Sequence, residues 1–231
     1  MSKHHLKSIA APKSWPIRRK ENVYVIRPNP GPHKLENSMP IGLVLKLLSQ
    51  VKNAREAKHV INQKKVLINK KPASDLKLQA GLFDIVELAD NSYRILLNKK
   101  GKLVFKEISK SDANIFLFKI IKKTKLKGGK LQLNFHNGFN TLIEKDDGKA
   151  DDVLIMENNR VKEKISFEKG NTVYIVKGKN IGKTAKIEKV HEEAPFNKQV
   201  TLKIDDKKIN LPRSYVFLIG KEKPAITLLE K

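Results

Sequence analysis

The spacing of apolar positions changes several times along this chain, and each change marks an element. Ile41, Leu43, Val44, Leu45, Leu47 and Leu48 form a dense apolar run that predicts a first helix. Asn53 reads as the N-cap of a second, with Glu56 three residues on in the manner of a capping box. Ala54, Ala57, Val60 and Ile61 then keep one apolar face at helical spacing. After them the pattern turns extended. VLIN at 66–69 opens a strand, and GLFDIVEL, closing at Leu88, supplies its partner. YRILL and LVF flank Asn98-Lys99-Lys100-Gly101 as a hairpin. LQLNF and FNTLI flank Asn137-Gly138, and Asn-Gly is a strong short-range hairpin signal. Between these hairpins, IFLFKIIKKTKLK is apolar at first and then strongly basic, and Gly128-Gly129 separates two lysine-bearing segments.

Beyond residue 170 the strands TVYIV, TAKIEKV, QVTLKI and SYVFLIG follow one another, with Asp205-Asp206 fitting a tight turn. Short strands with polar turns predict a small barrel. Residues 1–40 carry no period and hold six of the ten prolines. RPNPGPH, Arg27 to His33, is barred from helix because proline fixes φ and disfavours helix in the residue before it. This predicts an extended arm that packs little against itself. The expected organisation is therefore an arm at 1–39, a small α+β module at 40–90, a β domain at 91–169 and a barrel at 170–231. The fold class is α+β, mostly β and multi-domain.

Charge narrows the partners. Lys and Arg total 48 against 24 acids, a formal net charge of +24. The surplus is +6 in residues 1–40, +4 in 41–90, +8 in 91–169 and +6 in 170–231. The whole chain, rather than one tail, is built to face a polyanion, and such binding weakens with salt. A heat-adapted surface adds both signs together, whereas here cations are twice the anions. No apolar run approaches the length of a spanning helix, and MSKHHLKSIAAPKSW lacks the apolar core of a secretory signal. Cysteine is absent, which removes thiol catalysis, Cys-ligated zinc and disulfides. Nucleic acid in the cytosol is the leading inference, with no membrane.

Candidate contacts follow from this. Trp15, the only tryptophan, lies among Lys13, Arg18, Arg19 and Lys20, with Lys7 and Arg27 adding to the arm's cations. An aromatic among cations suits stacking in an RNA crevice; equally, Trp15 could pin the arm to the protein's own core. His4, His5 and His33 have no metal spacing and read as phosphate or base contacts, or as solvent-facing. Arg55 and Lys58 share a face of the second helix, with Lys64 and Lys65 at its exit; they track phosphates or form a solvated charged face. Asp146, Asp147, Asp151 and Asp152 lack an EF-hand ligand pattern and read as an aspartate-rich turn, so no metal is assigned. The six histidines form no zinc pair, and no nucleophile and base are spaced for catalysis, so no cofactor is expected and the chain reads as non-enzymatic.

GKNIGKT, Gly178 to Thr184, resembles a phosphate-binding loop at first sight. A Walker A loop needs four residues between its first glycine and Gly-Lys-Thr, and here there are three. Such a loop leads into a helix, but Ala185-Lys186-Ile187-Glu188-Lys189-Val190 alternates as a strand does. The unit Gly170, Val173 to Val176, Gly178, Gly182, Lys186 and Ile187 is similar instead to a KOW motif of SH3-like barrels, with Ala185 in place of the last glycine. That replacement puts a positive φ at Ala185 in doubt.

Taken end to end, the resemblance is wider. HHLKSIAAPKSWPIRRK, RPNPGPH and SMPIGLVLK resemble the opening of the small-subunit ribosomal protein four family of the archaeal and eukaryotic type. NAREAKHVINQKKVLINKKP with LQAGLFDIVEL resembles that family's αL-type RNA-binding module, and YVFLIGKEKPAI completes its order. WPI and PGPH look archaeal. The resemblance implies a structural constituent of the small ribosomal subunit, in the cytoplasm, binding rRNA of the 5′ domain beside neighbouring ribosomal proteins. It places Arg55, Lys58, Lys64 and Lys65 on the RNA-facing helix edge, and Lys70 and Lys71 on the following hairpin. There Asn69 precedes lysine, where relatives often have Asn-Gly or Asp-Gly, so a looser or more strained turn is expected. Lys177, Lys179, Asn180 and Lys183 fall on the loop near rRNA phosphates. The competing readings are a KOW-type transcription factor, which would lack the αL module and the basic arm, and a relative of αL-bearing RNA-modifying enzymes, for which no segment supplies a catalytic domain.

Overall fold

The computed structural model describes residues 5–89, 91–126, 129–143, 148–157, 160–191, 198–204 and 207–229. His4, Gly128, Asp146, Asp147, Asp205 and Asp206, singled out above, lie outside them. The chain is mostly β, with two α-helices and several sheets, and forms two compact units. The first is Met1–Leu96 with Lys102–Ala113; the second is Leu97–Gly101 with Asn114–Lys231.

In the first unit β1 (Leu6–Lys7) pairs antiparallel with β2 (Tyr24–Val25). β3 (Ser38–Pro40) leads directly into α1 (Ile41–Leu47), and α2 (Ala54–Asn62) follows. Residues 41–45 of α1 are all buried, as its unbroken apolar run demands. Next come β4 (Val66–Ile68), β5 (Lys71–Pro72), β6 (Gln79–Gly81), β7 (Ile85–Leu88), β8 (Asn91–Leu97) and β9 (Leu103–Ile108). GLFDIVEL is not one strand. Gly81 pairs in β6 with β3, Phe83 takes a left-handed φ of +68°, and only Ile85–Leu88 reaches β4. The sheet order is β5-β4-β7-β8-β9, so this sheet runs across the boundary expected after residue 90.

The arm holds only short elements, as its prolines require, and it is anchored to the rest of its unit. Ser8, Ala11 and Trp15 are buried, Leu103 N–H donates to Ser14 O at 2.8 Å, and Asn29 N–H donates to Lys77 O at 2.9 Å.

In the second unit β10 (Ile115–Lys125) is central to a sheet with β11 (Leu131–Phe135), β12 (Asn140–Ile143), β13 (Val153–Glu157) and β14 (Arg160–Ile165), ordered β12-β11-β10-β13-β14. The apolar half of β10 pairs with β13, while its basic half, after a register shift at Ile120–Lys122, pairs with β11. Asn137-Gly138 does turn β11 into β12, with Gly138 at φ +78°. A second antiparallel sheet, ordered β18-β17-β16-β15-β19, comprises β15 (Thr172–Ile175), β16 (Thr184–His191), β17 (Gln199–Ile204), β18 (Lys207–Pro212) and β19 (Val216–Gly220). Among the described residues no helix is long and apolar enough to cross a membrane.

Candidate nucleic-acid interface

The basic stretch of the first unit is built on a well-capped helix. Asn53 Oδ1 accepts from the amides of Arg55 and Glu56 at 3.0 and 2.9 Å. Glu56 reaches back to Lys52 N–H at 2.7 Å, one residue beyond the usual reciprocal partner, the N-cap amide of Asn53. Such capping is worth about 1 kcal/mol and matters for a nine-residue helix. Ala57 and Ile61 face the core, Val60 is half-buried and Ala54 is exposed. Arg55 and Lys58 project from the open side, and Lys64 and Lys65 continue the charge past the C-cap, Gln63.

The β4–β5 connection is tight, not loose. Ile68 pairs with Lys71, leaving Asn69 and Lys70 as a two-residue turn with φ of +49° and +66°, the signs of a type I′ turn. Asn fits the left-handed region; lysine is a costly occupant. Lys64, just beyond the helix C-cap, is also left-handed at +56°, a place usually given to glycine. Both lysines are exposed, and Lys70 Nζ lies 2.9 Å from Glu87. Lys71 is exposed on β5.

Behind this turn lies a buried polar network. Asp84 accepts from Gly81 N–H at 2.7 Å and Asn69 Nδ2 at 2.8 Å, and its Oδ2 lies 2.9 Å from His33 Nε2. Asn69 Oδ1 in turn accepts from Ile85 N–H at 2.9 Å. Burial opposes charge on both partners. Their mutual attraction wins, so the pKa of His33 lies above its ordinary value and that of Asp84 below. His33 thus joins the arm to the hairpin base, and its side chain, 6% exposed, has no face left for RNA.

Trp15 resolves the same way. It is 1% exposed, and its indole N–H donates to Ser38 O at 2.7 Å where β3 begins. Of the two roles open to it, the structure gives the anchor. Arg19 is half-buried and donates to Ile9 O and Pro12 O, clamping the arm's turn. Lys7, Lys13, Arg18 and Arg27 are exposed.

In the second unit GKNIGKT connects strand to strand, β15 to β16. Three successive amides at its centre are bonded to carbonyls of the loop and of β15. Gly182 N–H donates to Ile175 O, Ile181 N–H to Gly178 O and Lys183 N–H to Asn180 O. A phosphate cradle needs those groups free, so this loop is no nucleotide site. Gly178 and Gly182 take φ of +94° and +78°, whereas Ala185 lies buried within β16, where no positive φ is needed. Lys179 and Lys183 are exposed, and Lys177 and Asn180 half-buried.

The fold adds cations here that spacing did not assign. Tyr174 Oη donates to Leu97 O at 2.6 Å and accepts from Leu97 N–H at 3.2 Å, holding residues 97–101 against the loop. Burial pushes the Tyr174 phenol up to about 12. Lys99 and Lys100 thereby line one cavity of about 600 Å³ with Lys183, over Ile204, Leu228 and Leu229. Their hairpin was legible in sequence, but its landing place was not. The aspartates are also engaged: Asp151 pairs with Lys119 at 3.0 Å and Arg213 at 2.9 Å, and Asp152 accepts from the amides of Lys149 and Phe167.

Known proteins share this organisation. Residues 2–36 match the RS4NT (NUC023) domain, and residues 89–164 match Ribosomal family S4e. Small ribosomal subunit protein eS4 of Methanosphaera stadtmanae is 36% identical, over 99% of this chain and 97% of its own. The eS4 of Methanocaldococcus jannaschii is 38% identical over 98% of both. The crystal structure of the 30S ribosomal protein S4e from Thermoplasma acidophilum superposes with a TM-score of 0.68 at 26% identity, covering 80% of this chain and 96% of that one. An end-to-end match at this identity leaves no segment unaccounted for: the chain belongs to the archaeal eS4 family of small-subunit ribosomal proteins.

Proposed function

We propose that this chain is a structural, non-catalytic constituent of the archaeal small ribosomal subunit, in the cytoplasm, where it binds rRNA of the 5′ domain and packs beside neighbouring ribosomal proteins. The carrying observation is the match over 99% of the chain to a protein named for the small subunit. The net charge of +24, spread over every segment, supports the polyanion as partner. Residues 1–39 serve as the arm and 40–90, with β8 and β9 completing its sheet, as an αL-type module; the rest of 91–169 serves as a central β domain and 170–231 as a KOW-type SH3-like barrel. The RNA contacts fall on the exposed Lys7, Lys13, Arg18, Arg27, Arg55, Lys58, Lys64, Lys65, Lys70 and Lys71, and on Lys177, Lys179, Asn180 and Lys183 of the β15–β16 loop.

Two measurements test this. The protein is expected to co-sediment with small subunits through a moderate salt wash; free protein throughout would sink the assignment. Arg55→Ala with Lys58→Ala should weaken binding to small-subunit rRNA and reduce the slope of log affinity against log salt by about one to two. An unchanged slope would mean that this helix face is merely solvated.

A further inference from the structure

The lone tryptophan of the arm is spent on the core, which leaves open what, if anything, the arm offers to a base. Among the described residues one Phe, Tyr or Trp is exposed, and it is Tyr24, at 57%. A large aromatic left in solvent, where the other described Phe, Tyr and Trp rings are buried or half-buried, calls for a partner.

The surroundings of Tyr24 say which kind. It sits on β2 directly across from Lys7 on β1, and its ring lies 5.5 Å from that of His5. Exposed Ile9 and Val23 flank it, held together where Ser8 N–H donates to Val23 O at 2.9 Å. Beside the ring opens a cavity of about 460 Å³, within the range of small-molecule sites, whose polar lining includes Tyr24, Arg18, Lys46, Asn22 and Asn53 with one acid, Glu21. Over residues 5–27 there are six Lys or Arg and one acid, Glu21. An aromatic face bordered by cations and amides is the composition of a base-stacking platform, in which the ring takes the base and the cations take the flanking phosphates. A purely protein partner would explain the exposed ring, Ile9 and Val23, but not the ring of cations.

We propose that Tyr24, with Lys7, Arg18 and Lys46 around it, is the arm's stacking site for an unpaired base of the RNA. The inference rests on the rRNA-binding reading and assigns to Tyr24 the role that composition offered to Trp15. Stacking and phosphate contacts leave different signatures: a stack contributes affinity with little counterion release, whereas a lysine contributes both.

The test uses the full chain and a small-subunit rRNA transcript. Tyr24→Ala should weaken binding about 5- to 100-fold at fixed salt with the salt slope unchanged, while Tyr24→Phe, which keeps the face, should bind as wild type. Buried Trp15 fluorescence reports whether the variants keep the fold. Independently of any variant, a transcript carrying 5-iodouridine in its unpaired positions should photo-crosslink to the peptide containing Tyr24. Wild-type affinity for Tyr24→Ala, as expected if a neighbouring protein covers the ring, would overturn the proposal. So would equal loss in Tyr24→Phe, or crosslinks that never include Tyr24. Failure of the wild-type chain to bind the transcript at all is a separate outcome; it would remove the rRNA reading and this inference with it.

Discussion

The β4–β5 turn and the β15–β16 loop both need backbone in the left-handed region, and they meet the need differently. In the loop the positions go to Gly178 and Gly182, which carry no Cβ. At the turn they go to Asn69 and Lys70, and just upstream to Lys64. The difference follows from what surrounds each backbone. Gly182 is pressed against residues 97–98, where a Cβ would lie 2.7 Å from Asn98 O, so space and conformation both demand glycine. The β4–β5 turn stands in solvent and has room for a side chain, so lysine is tolerated at a conformational cost while its charge is kept. Asp84 beneath it, bonded to Asn69, helps to hold the strained turn.

Removing Asp84 should have the largest effect. Asp84→Ala strips the partner from His33, Asn69 Nδ2 and Gly81 N–H together, and unfolding should fall by about 3–5 kcal/mol in denaturant melts. A loss below about 1 kcal/mol would show that the network does not support the turn. The same pair makes a pH prediction. His33 has a folded pKa raised above its ordinary 6.5, so its contribution is complete below that value and is lost as pH rises through the raised one. Asp84 has a lowered folded pKa, so its contribution is present above its ordinary 3.8 and is lost as pH falls through the depressed value. The stability gap between wild type and His33→Asn should therefore be widest between about pH 4 and 6.5 and narrow in mild alkali; a gap that grows above pH 8 would reverse the assignment.

On the loop side, Gly182→Ala should cost about 2–4 kcal/mol, from the left-handed conformation plus the contact with Asn98. A neutral result in thermal melts would mean that residues 97–101 yield easily. The smallest and sharpest test is Lys70→Gly. Relief of the left-handed strain, offset by glycine's entropy in the unfolded chain, should raise stability by about 0.5 kcal/mol. RNA affinity should fall, with the salt slope shallower by about one. If stability falls instead, the contact with Glu87 outweighs the strain, and charge was not obtained at a conformational cost.

Much of this was legible beforehand because it is local. Asn53 with Glu56, the Asn137-Gly138 hairpin, the alternation of β16 and the failed spacing of GKNIGKT all depend on residues within a few positions of one another. Misreadings arose where distant chain intervened. GLFDIVEL looked like one strand because its apolar run is unbroken, yet Phe83 turns there so that Gly81 can pair with β3. The arm's anchors were open in the sequence because proline forbids regular elements there, and periodicity says nothing about contacts such as Trp15 to Ser38 or Leu103 to Ser14. His33 resembled a surface contact until Asp84, 51 positions away, turned out to face it.

By itself the sequence determined the charge, the capped second helix and the strand–loop–strand character of the glycine motif, since each is written in composition or short spacing, and its motifs taken end to end carried the resemblance to the family. Which aromatic is spent on the core and which is left for a partner was decided only by tertiary structure. Trp15 and Tyr24 stand in similar basic surroundings along the chain, and neither carries a local mark of its fate. Burial of the indole depended on the Ser38 carbonyl lying within 2.7 Å of its N–H, a contact across 23 residues that only the folded chain makes.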